Sequence, residues 1–283
     1  NKNILIRKKS DMRGENMSID NTFMIKKLQR LEEMLVAFSQ FTRMPFVECD
    51  EETFDDQIHV FADATKIQEF AKSFLEDKIL LAGVKVPVEQ KKSFLNSLYS
   101  IGVNAVMFHD GDSITRIQLQ DLIRQPDFEN LLKEKIPVMN PSLQLSALYF
   151  IQELRRPVQH DQVQLHDMEE EMIRDIAKSR FIMGLEVEKK EGDSKEKIRI
   201  PFVKDKDENI LQPIFSDFAE FQKHYKQKAL KMKLAPLTLA QLSSYLIEDS
   251  KGFVLNPSGF NLPLSKDQIN MITDNFQHLI PEN

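Results

Sequence analysis

The stretch QPIFSDFAEFQKH (Gln212–His224) gives the strongest indication of the fold, because a similar stretch, IHVFADATKIQEF (Ile58–Phe70), occurs much earlier in the chain. Each opens as a short apolar strand, closes that strand with a phenylalanine, Phe61 or Phe215, and continues with a helical pattern. Self-similarity at this distance predicts a duplicated structural unit.

An aspartate follows each phenylalanine by two residues, Asp63 in the first copy and Asp217 in the second. A carboxylate in this position accepts hydrogen bonds from the open amides of a helix start, so we predict that both residues are N-caps. Glu220, three residues after Asp217, fits a capping box, whereas Lys66 occupies that position in the first copy.

The similarity continues on both sides of these stretches. Upstream, EEMLVAFSQFTRMPFV and EEMIRDIAKSRFIMGL each predict an amphipathic helix that leads into a strand. Downstream, Pro87 and Pro236 each precede a helical pattern. The segments NAVMFHDGDSI and GFVLNPSGFNL then align with Gly111 opposite Gly259, and each predicts a strand, a turn and a return to apolar residues.

We therefore predict an α+β fold with two tandem related domains, each a small mixed β-sheet packed with helices. The expected order in each copy is helix, strand or hairpin, strand, helix, helix, strand–turn and helix. The second copy has a longer hairpin with a charged tip, and Pro137 and Pro141 indicate the boundary. The predicted divisions are a leader at 1–20, a diverged domain at 21–137 and a second domain at 138–283.

The leader carries a separate hypothesis about translation. Arg13-Gly14-Glu15-Asn16 stands directly before Met17, and codons for Arg-Gly-Glu can spell a purine-rich ribosome-binding sequence. We expect native translation to begin at Met17, with residues 1–16 arising from an over-extended reading frame. The alternative is a genuine polar tail, which would also lie outside the fold.

Composition restricts the classes of partner and compartment. The net charge of −6 favours solubility and gives no reason to expect a nucleic-acid partner. A single cysteine, Cys49, excludes an intramolecular disulfide and a cysteine-built zinc site, which points to a reducing compartment. The sequence lacks an apolar run of membrane-spanning length, so we expect a cytoplasmic protein without a membrane partner.

The motifs of the second copy resemble the SseB family, bacterial proteins named for an enhanced-serine-sensitivity phenotype. The matching residues are those of the strand end and of the later turn, namely Pro213, Ile214, Phe215, Ser216, Asp217, Asn256 and Pro257. The first copy departs from this pattern, since Phe108-His109 stands where the second has Asn-Pro. The resemblance covers most of residues 24–275 and implies no established catalytic activity or cofactor.

Glycine and histidine positions limit the enzymatic alternatives. None of the eight glycines is spaced as in a dinucleotide-binding fingerprint or a phosphate-binding loop. His160 and His166, with Glu170 close behind, form the densest group of potential metal ligands, but an acidic, solvated helix is the favoured explanation. We predict neither a metal nor a cofactor.

The two aligned turns supply the candidate ligand contacts. These are Asn256, Pro257, Gly259 and Asn261 in the second copy, and His109, Asp110 and Asp112 in the first. A structural interpretation of the second turn is favoured. Pro257 would push Asn256 toward an extended backbone, Gly259 would take a positive φ, and Asn261 or Ser265 would cap the following helix.

A lysine-rich stretch is the remaining candidate surface. Acidic residues are absent from Phe221 to Ile247, a range that contains Lys223, Lys226, Lys228, Lys231 and Lys233. These lysines could form a patch for an anionic partner, but a solvated helix face is the favoured interpretation.

Three functions are compatible with these observations. The first is a non-catalytic cytoplasmic module that binds a protein partner or a small ligand. The second is a hydrolytic or metal-assisted enzyme with a site between the two domains. The third is a regulatory module that binds an anionic ligand through the lysine-rich stretch. The first is the leading hypothesis.

Overall fold

A computed structural model of the chain describes residues 21–124, 137–188 and 197–281. The predicted leader at 1–20, with its proposed start at Met17, the tip of the second-copy hairpin and most of the connection before Pro137 lie outside the described residues. The chain divides into two compact units. Unit 1 contains the described residues up to 124 together with Ala147–Met168, and unit 2 contains the other described residues.

Unit 1 begins with eleven described elements, which are α1 (Asn21–Arg30), β1 (Glu33–Ser39), β2 (Met44–Pro45), β3 (Glu48–Cys49), β4 (Asp56–Phe61), α2 (Ala64–Ser73), β5 (Leu81–Pro87), α3 (Val88–Ile101), β6 (Ala105–Asp110), β7 (Ser113–Gln118) and α4 (Leu119–Leu122). Two further helices, α5 (Pro141–Leu154) and α6 (Gln162–Lys178), follow, and the division between the units falls within them.

The sheet of unit 1 is mixed. Strand β1 pairs antiparallel with β2, β4 and β5, and β3 pairs with β4. Strands β4 and β6 run parallel, with Phe61 opposite His109, and β6 continues antiparallel into β7. A parallel pair requires a long crossover, which α2, β5 and α3 supply here. The carboxyl ends of β4 and β6 therefore lie side by side.

Local chemistry explains why the chain turns after β4. Asp63 accepts hydrogen bonds from the amides of Thr65 and Lys66 and so begins α2, as predicted. Phe61 is fully buried and packs in a cluster with Leu35, Ala37 and Ile67. Burial of the strand end and capping of the helix start together fix the connection.

Unit 2 continues after α6 with β8 (Arg180–Glu188), β9 (Lys197–Arg199), β10 (Val203–Lys204), β11 (Ile210–Ile214), α7 (Phe218–Tyr225), a 3-10 helix (Lys226–Lys231), β12 (Met232–Thr238), α8 (Leu239–Leu242), a 3-10 helix (Ser243–Tyr245), β13 (Ser250–Leu255), β14 (Leu262–Ser265), α9 (Lys266–Asn275) and a 3-10 helix (Gln277–Leu279).

Two sheets form the framework of unit 2. One has the order β12-β8-β9, and the other the order β10-β11-β13-β14, in which β11 and β13 are parallel. A bridge between Ile182 and Phe215 joins them through two backbone hydrogen bonds of 2.8 and 3.0 Å. Phe215 is fully buried in a cluster with Ile182, Phe221 and Ala229. Asp217 caps α7 by accepting from the Glu220 amide, as predicted.

The α+β class is confirmed, and the strands pair in the same order in the two units. In each, a first strand pairs with a late edge strand, a parallel pair follows, and its second member continues into an antiparallel hairpin. Whether the units are related copies stays a prediction, which this order supports.

Three details of the predicted alignment were wrong. The stretch EEMLVAFSQFTRMPFV was expected to form a helix that leads into a strand, but Glu33–Ser39 is already strand β1 and the helix before it is α1 (Asn21–Arg30). In each copy two helices were expected to follow each other directly, but a strand, β5 or β12, lies between them. Each of these strands contains or ends at a proline, which had been interpreted as the start of the next helix. Pro87 is the N-cap of α3, but Pro236 lies inside β12, and Thr238 is the N-cap of α8. Proline is tolerated there because β12 is an edge strand, where a missing N–H need not break a ladder hydrogen bond.

Candidate functional site

The turn after β13 has a different backbone from the one predicted. Asn256 is not extended but left-handed, with φ 50°, and Asn261 has φ 53°. Gly259 does not have a positive φ, which was the predicted reason for glycine at that position. Asparagine tolerates the left-handed region better than other non-glycine residues do, so the two asparagines, and not the glycine, make the bend. Ser265 caps α9 and forms a capping box with Gln268, as expected.

The side chain of Asn256 is fully buried and used within the turn. Its Oδ1 accepts from the Ser216 amide at 3.0 Å, and its Nδ2 donates to Ser216 Oγ at 2.8 Å. Its backbone N–H donates to Ile214, and its carbonyl accepts from the amides of Gly259 and Asn261. Every polar group of Asn256 therefore has a partner in unit 2.

His109 is the residue of unit 1 that corresponds to Asn256. In unit 1, His109 lies beside Phe61 in the parallel pair. In unit 2, Leu255 lies beside Ile214, so the next residue, Asn256, corresponds to the position beside Phe215. The predicted alignment was therefore one residue out. In unit 1, the Ala62 amide donates to the backbone carbonyl of His109 at 3.0 Å. In unit 2, the Asn256 side chain takes the place of that carbonyl.

A polar network extends from this point. Ser216 Oγ donates to Asp217 Oδ2 at 3.0 Å, and Gln144 Nε2 donates to the same oxygen at 2.7 Å. Asn140 Nδ2 donates to the carbonyl of Ser216 at 2.6 Å and to that of Arg180 at 2.7 Å. The start of α5 is thus bonded to the carboxyl end of β11, a connection that sequence reasoning missed.

Glycine at position 259 is explained by close packing. A Cβ placed there would lie 2.6 Å from Oε2 of Glu220, a distance that real contacts do not show. Glu220 is buried, and burial raises the pKa of its carboxyl group above the usual value. Its Oε1 accepts from Lys223 Nζ at 3.4 Å. A capping box would require the Glu220 side chain to accept a hydrogen bond from the Asp217 amide, and Glu220 accepts from Lys223 instead.

Unit 1 holds a carboxylate–histidine–histidine chain at the corresponding place, in which the Glu48 carboxylate is half-buried. His59 Nε2 lies 2.8 Å from Oε1 of Glu48, and His59 Nδ1 lies 2.9 Å from Nε2 of His109. Both rings are buried, and His109 stacks on Phe61 with ring centroids 4.2 Å apart. Burial, followed by the charge of His59, lowers the pKa of His109 from 6.5 to about 3. His109 is therefore neutral at physiological pH.

Sequence reasoning found His109 but missed Glu48 and His59. One signal was available, since His59 stands two residues before Phe61 and strand alternation puts both on one face. That face also packs on Phe70, whose ring centroid lies 4.4 Å from that of His59.

Asp110 and Asp112, the other candidate residues of the unit 1 turn, pair with lysines and not with His109. Asp110 forms an ion pair with Lys27 of α1. Asp112 is almost fully exposed and lies 2.7 Å from Lys66 of α2. Gly111 has φ 60° between them, as a tight hairpin requires. Both aspartates thus bind lysines from helices on the rim of the sheet.

The lysine-rich segment, defined here as residues 223–234, begins in α7, passes through the 3-10 helix Lys226–Lys231 and enters β12. All five of its lysines are exposed. Ala229 is buried against Phe215 and Phe221, so the 3-10 helix is anchored to the core of unit 2. Leu230, the next residue, is 83% exposed.

The described residues contain neither a metal-ligand cluster nor a membrane-spanning helix. Within residues 21–124, 137–188 and 197–281, no group of three or more histidine, cysteine, aspartate or glutamate side chains is arranged to hold a metal ion. His160 is bonded to Glu153 at 3.1 Å, and Glu170 to Arg174 at 2.6 Å. None of the helices in this part of the chain combines the length and apolar character needed to cross a bilayer.

Comparisons with known proteins bear on family and fold. A search of curated proteins found no match. Tic22 from Plasmodium falciparum aligns over 90% of this chain and 98% of its own, with 11% identity and a TM-score of 0.20. Anabaena Tic22, described as a protein-transport protein, aligns over 92% and 98%, with 10% identity and a TM-score of 0.21. Overlaps of this quality do not establish a shared fold.

The family comparison is more specific. Residues 158–271 match the family model described as SseB protein N-terminal domain. This range runs from the start of α6 into α9 and includes the strand end at Phe215 and the Asn256 turn. Residues 158–271 are therefore similar to an SseB N-terminal domain, in the range where the motifs of the second copy indicated the resemblance.

Proposed function

We propose that this chain is a non-catalytic binding module of the cytoplasm and that its lysine-rich segment binds an acidic surface of a protein partner. The observation that carries the proposal is Leu230, which is 83% exposed among five exposed lysines. Exposed apolar patches with a polar rim mark many protein-binding sites, and the exposed Leu230 and Leu234 would supply the apolar part of such a patch here.

The packing of the residues on either side of Leu230 keeps its side chain in solvent. Ala229 is buried, and Met232 packs against the same core cluster. Leu230 follows Ala229 directly, and its side chain points away from that core into solvent. Leu234, the other leucine near its end, is 43% exposed on the edge strand β12. The two leucines offer apolar contact, and the lysines offer charge on both sides.

Charge defines the partner. From Phe221 to Ile247 the chain contains lysines and no acidic residue, in a protein with net charge −6. The local positive potential attracts an acidic surface and raises its rate of association at low salt. A cytoplasmic location agrees with the single cysteine, Cys49, which forms no disulfide.

The buried polar groups support a binding role in place of a catalytic one. Both ring nitrogens of His59 lie at hydrogen-bond distance from neighbours inside unit 1. Asn256 and Asp217 are bonded to the groups that shape their own turn and helix. These side chains are engaged in holding the ends of the parallel strands.

Charge reversal tests the proposal. The wild-type chain is used as bait in a lysate of its native cells, beside K228E/K231E and the control K251E/K266E, which makes the same charge change at exposed lysines elsewhere in unit 2. We expect the recovery of the partner to fall by about tenfold or more in K228E/K231E, which corresponds to 1.4 kcal/mol, and to stay unchanged in the control. Equal recovery with both variants would refute the proposal.

A further inference from the structure

The loop from Asp50 to Asp55 in unit 1 presents an aromatic side chain in an unusual conformation. Phe54 has φ 58°, in the left-handed region that bulky residues rarely adopt. Its side chain is also 65% exposed. The loop thus holds a large apolar group in water on a strained backbone, and strain of this kind concentrates at functional sites.

Backbone and side-chain hydrogen bonds brace the loop from within. The Phe54 amide donates to the Asp50 carbonyl at 2.8 Å, and the Asp50 amide donates to the Asp55 carbonyl at 2.9 Å. Asp50 Oδ1 also accepts from the amides of Glu52 and Thr53 and from the Thr53 hydroxyl, at 3.0–3.1 Å. The conformation that presents Phe54 is therefore fixed before any partner binds.

Strand β7 ties the loop to the sheet. Arg116 lies 2.6 Å from Asp50 Oδ2 and 3.8 Å from Asp55 Oδ2, and Gln118 donates to Asp55 at 3.0 Å. Burial raises the pKa of Asp50, but the Thr53 amide and Arg116 outweigh that effect and hold it below its usual value. Asp50 and Asp55 are thus committed to the brace.

The exposed charge beside Phe54 is negative. Glu51, Glu52, Thr53 and Phe54 are all exposed, so two exposed carboxylates belong to the same loop as the aromatic ring. An anionic membrane surface would repel these groups, whereas a protein pocket with basic side chains at its rim would attract them. Rigid aromatic anchors that enter apolar pockets contribute most of the affinity at many protein interfaces.

We propose that the loop Asp50–Asp55 is a second binding surface, which inserts Phe54 into an apolar pocket of a partner protein whose rim carries lysine or arginine. This surface lies in unit 1, has the opposite charge to the lysine-rich segment, and does not depend on the function proposed for that segment. The ordering of the loop before binding lowers the entropic cost of the contact.

Site-specific photocrosslinking in the cells that naturally produce the chain tests this. The probe is p-benzoylphenylalanine at position 54, with position 23 as the control, because Phe23 on α1 is similarly exposed at 61%. We expect one partner adduct at position 54, at least about tenfold more abundant than at position 23. Its crosslinked peptide should contain apolar residues next to lysine or arginine. The adduct should disappear in an E51K/E52K background.

Several outcomes would overturn the inference. These are equal yields at the two positions, persistence of the adduct with E51K/E52K, or an adduct with lipid or with a second copy of this chain. Phe54→Gly separates binding from folding. Glycine accepts a positive φ, so the variant should unfold at a higher temperature than wild type while competing at least tenfold less well for the partner. A lower unfolding temperature would instead give Phe54 a structural role and refute the proposal.

Discussion

Asn256 shows how one side chain can replace a piece of backbone. Its left-handed φ of 50° turns its own carbonyl toward Gly259 and Asn261, away from the amide of Ser216. The side-chain oxygen then accepts from that amide at 3.0 Å, as the backbone carbonyl of His109 does for Ala62 in unit 1. The Asn-Pro motif is thereby explained by hydrogen bonding inside the turn, and a ligand role for the turn stays a prediction.

We expect Asn256→Ala to destabilise the chain by about 2–4 kcal/mol, since the Ser216 amide would remain buried without a partner and alanine is poorly suited to positive φ. The control is Asn261→Ala, which changes an exposed asparagine with a similar φ of 53°. That variant should cost only about 1 kcal/mol. Denaturant unfolding measures both, and equal costs would contradict the role given to the buried side chain.

Three strands of unit 1 are connected by the chain from Glu48 on β3 through His59 on β4 to His109 on β6. In the folded state, His109 has a pKa of about 3 and stays neutral down to that pH, whereas in the unfolded state its pKa is 6.5. The unfolded state therefore binds a proton at His109 more readily than the folded state does. Above pH 6.5 the group contributes no pH dependence. As the pH falls from 6.5 toward 3, the unfolded state alone binds the proton, and stability is lost.

The expected slope from His109 is at most about 1.4 kcal/mol per pH unit in that window. His109→Asn, which installs the residue found at the corresponding position of unit 2, should flatten the decline in unfolding free energy between pH 6.5 and 4.5. His166→Asn, at an exposed site on α6, is the control and should leave the decline as in wild type. The pair of urea titrations at each pH decides the matter, and identical slopes for all three proteins would refute this account.

The edge strands β5 and β12 illustrate why a pattern of residues was misassigned. Each ends against a helix start, at Pro87 or Thr238, and each has polar or half-buried residues through its middle. Such a sequence has no strong strand alternation, because an edge strand buries little on either face. Pairing with β1 or β8, and not an intrinsic preference, makes these residues extended.

The two units share one order of strand pairing, and we propose that they are related copies of one domain. Phe61 and Phe215 occupy the same place in that order, and both are fully buried. Each substitution to alanine should therefore cost about 3–5 kcal/mol.

A chain of two units need not unfold in one step, so amide hydrogen exchange in β4 and β6 for Phe61→Ala, and in β11 and β13 for Phe215→Ala, is the suitable measurement. Phe23→Ala, at an exposed position, should change little. A cost below about 1 kcal/mol at either buried position would end the proposed correspondence.

Much of the architecture was predictable from residues close together in the chain. The caps at Asp63, Asp217 and Ser265, the buried strand ends at Phe61 and Phe215, and the α+β class follow from local hydrogen bonding and burial, which act within a few residues. The family resemblance rests on the same local motifs and extends over residues 158–271.

Contacts between residues far apart in the sequence could not be predicted from local motifs, because the tertiary structure determines them. His59 and His109 are 50 residues apart, and the register of two parallel strands brings their rings together. A side chain at position 259 would meet the carboxylate of Glu220, which comes from another element. The loop that carries Phe54 is bonded to the sheet by Arg116, on a strand more than sixty residues away in the chain. In each case the deciding partner is brought near by strand pairing or packing, which local sequence does not encode.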